Sequence, residues 1–193
     1  MQSFTNGIFF LTRTLFDLYI FIMMLRIILN WVHADMRTPL SQFISKITTP
    51  TLKLIRKIVP AVHGIDIGGI IVLLLLEILK FIFLILLSSG GFPSIGGLVV
   101  LAFAELLQQL ISIFFYSILL FVIFSWITTL INPSLYYFLF QITEPLLRPA
   151  RRIIPSIAGL DFSPVLVLIF LKFIQMILTQ PLLIIGYQMA IGH

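Results

Sequence analysis

Two segments decide how this chain is read: "TPTLKLIRKIVPAVHGID", residues 49–66, and "EPLLRPARRIIPSIAGLD", residues 144–161. Offset by 95 residues, they match at Pro50/Pro145, Leu52/Leu147, Arg56/Arg151, Ile58/Ile153, Pro60/Pro155, Gly64/Gly159 and Asp66/Asp161, with Thr48/Thr143 just upstream. Lys57/Arg152 and Val59/Ile154 are conservative pairs. Shared greasiness does not produce matched Pro, Arg, Gly and Asp, so the chain is an internal duplication. The same offset aligns Trp31 with Trp126, which extends the repeat beyond the motif. The units divide as 1–97 and 98–193.

The rest of the chain says where such a segment lives. It is 60% hydrophobic and 10% charged, with a mean hydropathy of +1.18. Soluble domains are nearer about 25% charged. Apolar surface on this scale is covered by lipid. The chain has no cysteine, which excludes disulfides, thiolate metal sites and cysteine nucleophiles. The net charge of +5 sits in short connections rather than one basic domain, so it speaks to a membrane and not to nucleic acid. The N-terminal run lacks a basic leader and a small-residue cleavage site, and Arg13 and Asp17 interrupt it, so it reads as a span and not as a cleaved signal.

A crossing takes about 20 apolar residues. Four stretches suffice: about 8–31, 69–87, 98–131 and 164–185. The third exceeds one crossing, and either one tilted helix or a surface helix plus a span accounts for it. Pro181 is expected to kink or end the fourth. "SSGGFPSIGG", residues 88–97, is a turn by composition. The expected architecture is all-α and integral to the membrane. It has four transmembrane helices in two parallel two-helix repeats, each with an interfacial amphipathic helical segment.

Lys and Arg set the orientation. The connection 32–68 carries Arg37, Lys46, Lys53, Arg56 and Lys57, and the connection 132–163 carries Arg148, Arg151 and Arg152. The other side has no basic residue beyond Arg13. The positive-inside rule puts both connections in the cytoplasm and both termini outside, in the periplasm.

Within each connection, apolar residues recur at helical spacing against a basic face. Ile44, Ile47, Leu54, Ile55 and Ile58 oppose Lys46, Lys53 and Lys57. Leu146, Leu147, Ile153 and Ile154 oppose Arg148, Arg151 and Arg152. Such helices lie in the interface plane, facing anionic phospholipid headgroups. Pro50 and Pro145 are expected to split each segment in two, Pro60 and Pro155 to end it, and Gly64 and Gly159 to turn the chain. Asp66 and Asp161 are placed to N-cap the next span. The pattern serves a topological anchor, or a docking surface for lipid or for an acidic cytoplasmic or membrane protein partner.

These residues carry a resemblance. Two copies of P-x-L-x-x-x-R-[KR]-I-[VI]-P-x-[VI]-x-G-[IL]-D, each between two spans, are similar to the YggT/YlmG family in its doubled YggT form. The Asp-Phe-Ser-Pro ending usual in that family stands at residues 161–164 but is Asp-Ile-Gly-Gly at residues 66–69. The resemblance implies an inner-membrane protein associated with osmotic stress tolerance and potassium uptake. Relatives are associated with cell division and with cytochrome b6f biogenesis in plastids, a spread that suits a membrane scaffold or assembly factor. An ion channel or transporter component is the alternative.

Charges inside spans are costly and mark candidate sites. Arg13, Glu105 and Arg26 lie near span ends and can snorkel. Asp17 stands one turn from Arg13 and can pair with it. Glu77 and Lys172 are equivalent under the offset, so they are expected at one depth. Either they pair across the repeats, or Glu77 pairs locally with Lys80. Histidines 33, 63 and 193 have no duplicated partners, and no nucleotide-binding or catalytic pattern occurs. The expectation is no enzyme, no cofactor and no metal, with self-association open.

Overall fold

The computed structural model describes residues 2–57, 66–89, 93–127, 132–154 and 161–191. The positions Pro60, Gly64, Pro155 and Gly159, like His63 and His193, lie outside them, as does the side chain of Arg56. Helix α1 spans Gln2–Trp31, α2 Pro39–Arg56, α3 Ile67–Ser89, α4 Ile95–Trp126, α5 Pro133–Ile153 and α6 Ser163–Ile174. A π-helical turn, Gln175–Thr179, joins α6 to α7, Gln180–Ile191. Four of these units, with α6 to α7 counted as one, are long and apolar enough to cross a membrane. This is a multi-pass membrane protein.

Local chemistry sets the ends. Helix α1 closes with Ala34 N–H donating to Leu29 O (2.9 Å) while His33 takes a left-handed φ of 53°. This six-to-one closure releases the chain sideways. Thr38 and Asn132 cap α2 and α5 by accepting from Ser41 N (3.3 Å) and Ser134 N (2.9 Å), and a proline follows each cap, where its missing N–H costs nothing. Ser94 caps α4 by accepting from Gly97 N (3.2 Å).

Several expectations change here. The third span is one helix, and it stops at Trp126 rather than at 131. The central turn is shorter than the composition suggested, because α3 runs to Ser89 and α4 starts at Ile95. Pro50 and Pro145 do not split α2 and α5, which are continuous. The hydroxyls of Thr48, Thr49 and Thr143 bond to carbonyls in the turn before each proline (Thr48 Oγ1 to Ile44 O 2.7 Å, Thr143 Oγ1 to Leu139 O 2.9 Å), whereas the carbonyls that lose their i+4 donor to Pro50 and Pro145 are those of Lys46 and Gln141. Pro181 does not end the fourth span either. The π turn ahead of it widens the helix, Gln180 N–H reaches back to Gln175 O, and the helix continues to Ile191.

Neither α2 nor α5 leaves the bundle at a right angle. Arg26 Nη1 donates to Ser45 Oγ, and the Tyr19 and Thr51 hydroxyls share a hydrogen bond. The order of these contacts makes α2 run back along α1, with Ile44 and Leu52 buried in the bundle core, so α2 does not lie flat in an interface plane as expected but packs on the first span. In the second repeat the residues equivalent to Arg26 and Ser45 are Phe121 and Phe140, whose rings lie 6.2 Å apart. One geometry is held by polar bonds in one copy and by aromatic contact in the other. Equivalent residues are also buried in both: Ile44 with Leu139, Thr48 with Thr143, and Leu52 with Leu147.

Across the bundle α1 packs on α3, α3 on α4, and α4 on α6 and α7. The tightest approach is α4 to α7. A Cβ on Gly97 would stand 2.2 Å from Ala190 N, and one on Gly186 would stand 2.9 Å from Leu101. Small residues let two membrane helices meet backbone to backbone.

Candidate functional site

Glu77 and Lys80 lie mid-span on α3, fully buried at 0% and 1% exposure. Lys80 Nζ is 2.6 Å from Glu77 Oε2 and 2.8 Å from Asp17 Oδ1 on α1. Arg13 Nε stands 3.5 Å from Asp17 Oδ2. Gln109 on α4 donates from Nε2 to Glu77 Oε1 at 2.7 Å. Three spans from both repeats therefore converge on one buried ionic cluster. Charges in such a place hold only when paired and hydrogen-bonded.

The expected pairing of Glu77 with Lys172 does not form, whereas the local Glu77–Lys80 pair does. Lys172 Nζ instead donates to Gln175 Oε1 (2.9 Å) and lies 4.6 Å from the centre of the Phe115 ring. The reason is topological. Residues 77 and 172 are equivalent within their repeats, but α3 lies inside the bundle and α6 at its edge. The element that reaches Glu77 from the second repeat is α4, through Gln109. Asp17 pairs with Arg13 as its spacing suggested, and also with Lys80. Arg26 does not snorkel but bonds to Ser45.

The Asp17–Lys80 link between spans was missed. A usable signal was present, because the equivalents of Asp17 and Lys80 are Ser112 and Gln175, so both positions are polar in both copies.

Beside the cluster, a cleft of about 690 Å³ opens between α1 and α4 and extends toward α2 and α5. Its polar wall holds Asp17, Glu105, Gln108, Gln109 and Ser112, and the remainder is mostly apolar. A smaller cavity of about 130 Å³ is lined by Arg13, Lys80, Glu105 and Tyr187. Glu105 lines both.

The repeated motif has a structural core. Arg151 Nη1 donates to Glu144 Oε2 (2.8 Å) and Arg151 Nε to Asp161 Oδ2 (2.9 Å), so one guanidinium ties the end of α5 to the start of α6. Partial burial opposes the charged form of Asp161, but the bonds from Arg151 and from Ser163 outweigh it and hold the carboxyl below its ordinary range. Partial burial likewise opposes the Arg151 charge, but the bonds to Asp161 and Glu144 outweigh it and raise the pKa above its ordinary value. Asp66 caps α3 as expected, accepting from Gly69 N at 3.0 Å. Asp161 stands one residue before the cap position and accepts from Ser163 N at 2.9 Å. Lys57 and Arg152 are exposed, as are Lys46, Lys53 and Arg148.

Comparison with known proteins fits this geometry. The family model described as CCB3/YggT matches residues 5–87 and again residues 100–182, at the offset that relates the two motif copies. The chain belongs to the CCB3/YggT family. It is 33% identical to the "Uncharacterized protein YggT" of Escherichia coli K12 over 97% of both chains. It is 40% identical to the "Uncharacterized protein in proC 3'region" of Vibrio alginolyticus, over 87% of this chain and 91% of that one. A Haemophilus influenzae protein is 32% identical over 84% of this chain and 86% of its own length. No solved structure matches. In CCB3/YggT terms, each match holds two spans and the helix between them, so the family unit is α1–α2–α3 and then α4–α5–α6.

Proposed function

We propose that this CCB3/YggT protein is a non-enzymatic scaffold or assembly factor of the bacterial inner membrane, acting in osmotic stress tolerance. Its two basic helices, amphipathic and cytoplasmic, bind anionic lipid headgroups or an acidic partner. One observation carries the reading. The exposed faces of α2 and α5 place Lys46, Lys53, Lys57, Arg148 and Arg152 beside exposed apolar Phe43, Leu54 and Ile153. This is the composition of an interfacial docking surface, in which each basic residue near an anionic bilayer contributes about 1 kcal/mol. Two copies on one chain give two-fold valency. Arg151 is set apart from that surface, because its charge is paired with Glu144 and Asp161.

The test is lipid retention. The purified protein and a variant with Lys46, Lys53, Lys57, Arg148 and Arg152 all changed to Gln are compared by native mass spectrometry after exchange into phosphatidylglycerol or phosphatidylcholine. Selective retention of phosphatidylglycerol by the wild type alone supports the reading, and equal retention by both overturns its lipid arm.

A second reading, an ion-linked membrane protein, is favoured by Glu105. This carboxylate lines both cavities and has no salt-bridge partner among the described residues. Loss of ion flux in liposomes on Glu105→Gln would favour it.

A further inference from the structure

The α3–α4 packing is the main helix contact between the repeats, and the chain leaves both halves of the same contact bare at its edges. On α3 the contact uses Glu77, Phe81 and Ile85, all buried, with Ile78 and Ile82 beside them. On α4 it uses Leu98 and Leu101, which share that cluster, with Gln109 bonded to Glu77. Adding 95 to the α3 positions gives Lys172, Phe173, Met176, Ile177 and Gln180, every one exposed. Subtracting 95 from the α4 positions Leu101 and Gln109 gives Asn6 and Thr14, both exposed, as are Gly7 and Phe10 between them. The first and fourth spans are the least buried of the four.

From this we infer that a second copy of the chain covers these edges, with α6 and α7 of one copy packing on α1 of the next. The contact repeats the internal α3–α4 packing. Chemistry supports the pairing. Lys172 is a charge in the interior of a span, held by one amide oxygen and one ring face, and no carboxylate lies within ion-pair distance of it among the described residues. Lysine in that position is stable when it faces protein or water rather than acyl chains. The duplicated register sets Lys172 where Glu77 sits, opposite Thr14 where Gln109 sits, with Asp17 one turn further along α1. Asp17 belongs to a cluster of three carboxylates, Asp17, Glu77 and Glu105, against two cations, Arg13 and Lys80, and Lys172 from a neighbour makes it even. Gly7 stands at the register position of Ala102, which is fully buried inside the chain, and a Cβ on Gly7 meets nothing within 4 Å.

Such a contact joins different faces of the two copies, so it is head-to-tail and builds a ring or an open array. The proposal is independent of lipid docking, because the faces lie on α1, α6 and α7 and not on α2 or α5.

The chain has no cysteine, so introduced pairs are read without background. Asn6→Cys with Met176→Cys corresponds to Leu101 and Phe81, which share one buried cluster. Phe81→Cys with Leu101→Cys is the internal control. In native membranes treated with a short thiol crosslinker, the control reacts within one chain. The Asn6/Met176 pair gives a ladder of dimers and higher species. Adding Lys172→Glu to that pair lowers the crosslinked fraction by about 3-fold to 10-fold, the scale of a polar contact between membrane helices. A reacting control beside an Asn6/Met176 pair that stays monomeric overturns the proposal. So does a ladder that Lys172→Glu leaves unchanged.

Discussion

Lys80 Nζ stands 2.8 Å from Asp17 Oδ1 and bridges the two spans of the first repeat, while its other carboxylate partner, Glu77, is held from the second repeat by Gln109. One ammonium thus sits at the junction of α1, α3 and α4, and removing it leaves the fully buried Glu77 without a cation while the partly exposed Asp17 keeps Arg13.

Unequal sensitivity follows. Lys80→Met leaves the buried Glu77 charge with Gln109 alone and is expected to cost about 3–5 kcal/mol. Glu77→Gln keeps a hydrogen-bonding group for Gln109 and leaves Lys80 paired with Asp17, for about 1–3 kcal/mol. Unfolding of the purified protein in mixed micelles measures both. Equal losses would mean that the cluster is not organised around Lys80.

The Arg151–Asp161 link predicts a pH signature. The folded pKa of Asp161 is depressed, so its contribution is present above the ordinary carboxylate pKa of about 4 and is lost as pH falls through the lower folded value. Wild type and Asp161→Asn should differ in melting temperature at pH 7 and converge in acid. The gap is small, about 1 kcal/mol or less, because the pair is partly exposed. A gap that persists unchanged below pH 3 would assign the effect to something other than charge.

Adjacent glycines should respond differently to the same change. Gly97→Leu drives a side chain into the Ala190 backbone and is expected to part α4 from α7, at about 1–3 kcal/mol or more, whereas a Cβ on Gly96 meets nothing within 4 Å and Gly96→Leu is expected to cost less. Thermal unfolding in detergent distinguishes them, and equal behaviour would contradict the close helix approach.

At the end of α1, His33→Gly should stabilise by about 0.5–1 kcal/mol, since glycine takes the left-handed φ of 53° without the penalty a side chain meets there. A loss of melting temperature would show that the imidazole itself contributes.

Most of the architecture was readable because lipid imposes it. A span must be long and apolar, and matched Pro, Arg, Gly and Asp expose a duplication wherever they occur. The continuity of α2 and α5 was not readable, because the rule that proline breaks helices ignores the buried residues on both sides, Ile44 and Leu52 around Pro50 and Leu139 and Leu147 around Pro145, which pack each helix on the bundle. Pro181 failed for a similar reason, a π turn that periodicity does not encode. The Glu77–Lys172 expectation assumed that equivalent residues meet. Equivalence fixes a residue's place within its own repeat, and in this fold α3 is central while α6 is peripheral. Arg151 illustrates the opposite case. Its pairing with Asp161 was implicit in the fact that both copies keep an Arg and an Asp at the same separation.

The central claim is that the outward basic faces of α2 and α5, rather than the carboxylate between the cavities, carry the biological role. The most direct test is survival of osmotic shock in a deletion strain. The strain carries wild type, the variant with Lys46, Lys53, Lys57, Arg148 and Arg152 changed to Gln, or Glu105→Gln, with equal membrane levels and topology verified. The account predicts that the basic-face variant fails to rescue and that Glu105→Gln rescues like wild type. Rescue by the basic-face variant together with failure of Glu105→Gln would contradict it and move the function to the cleft.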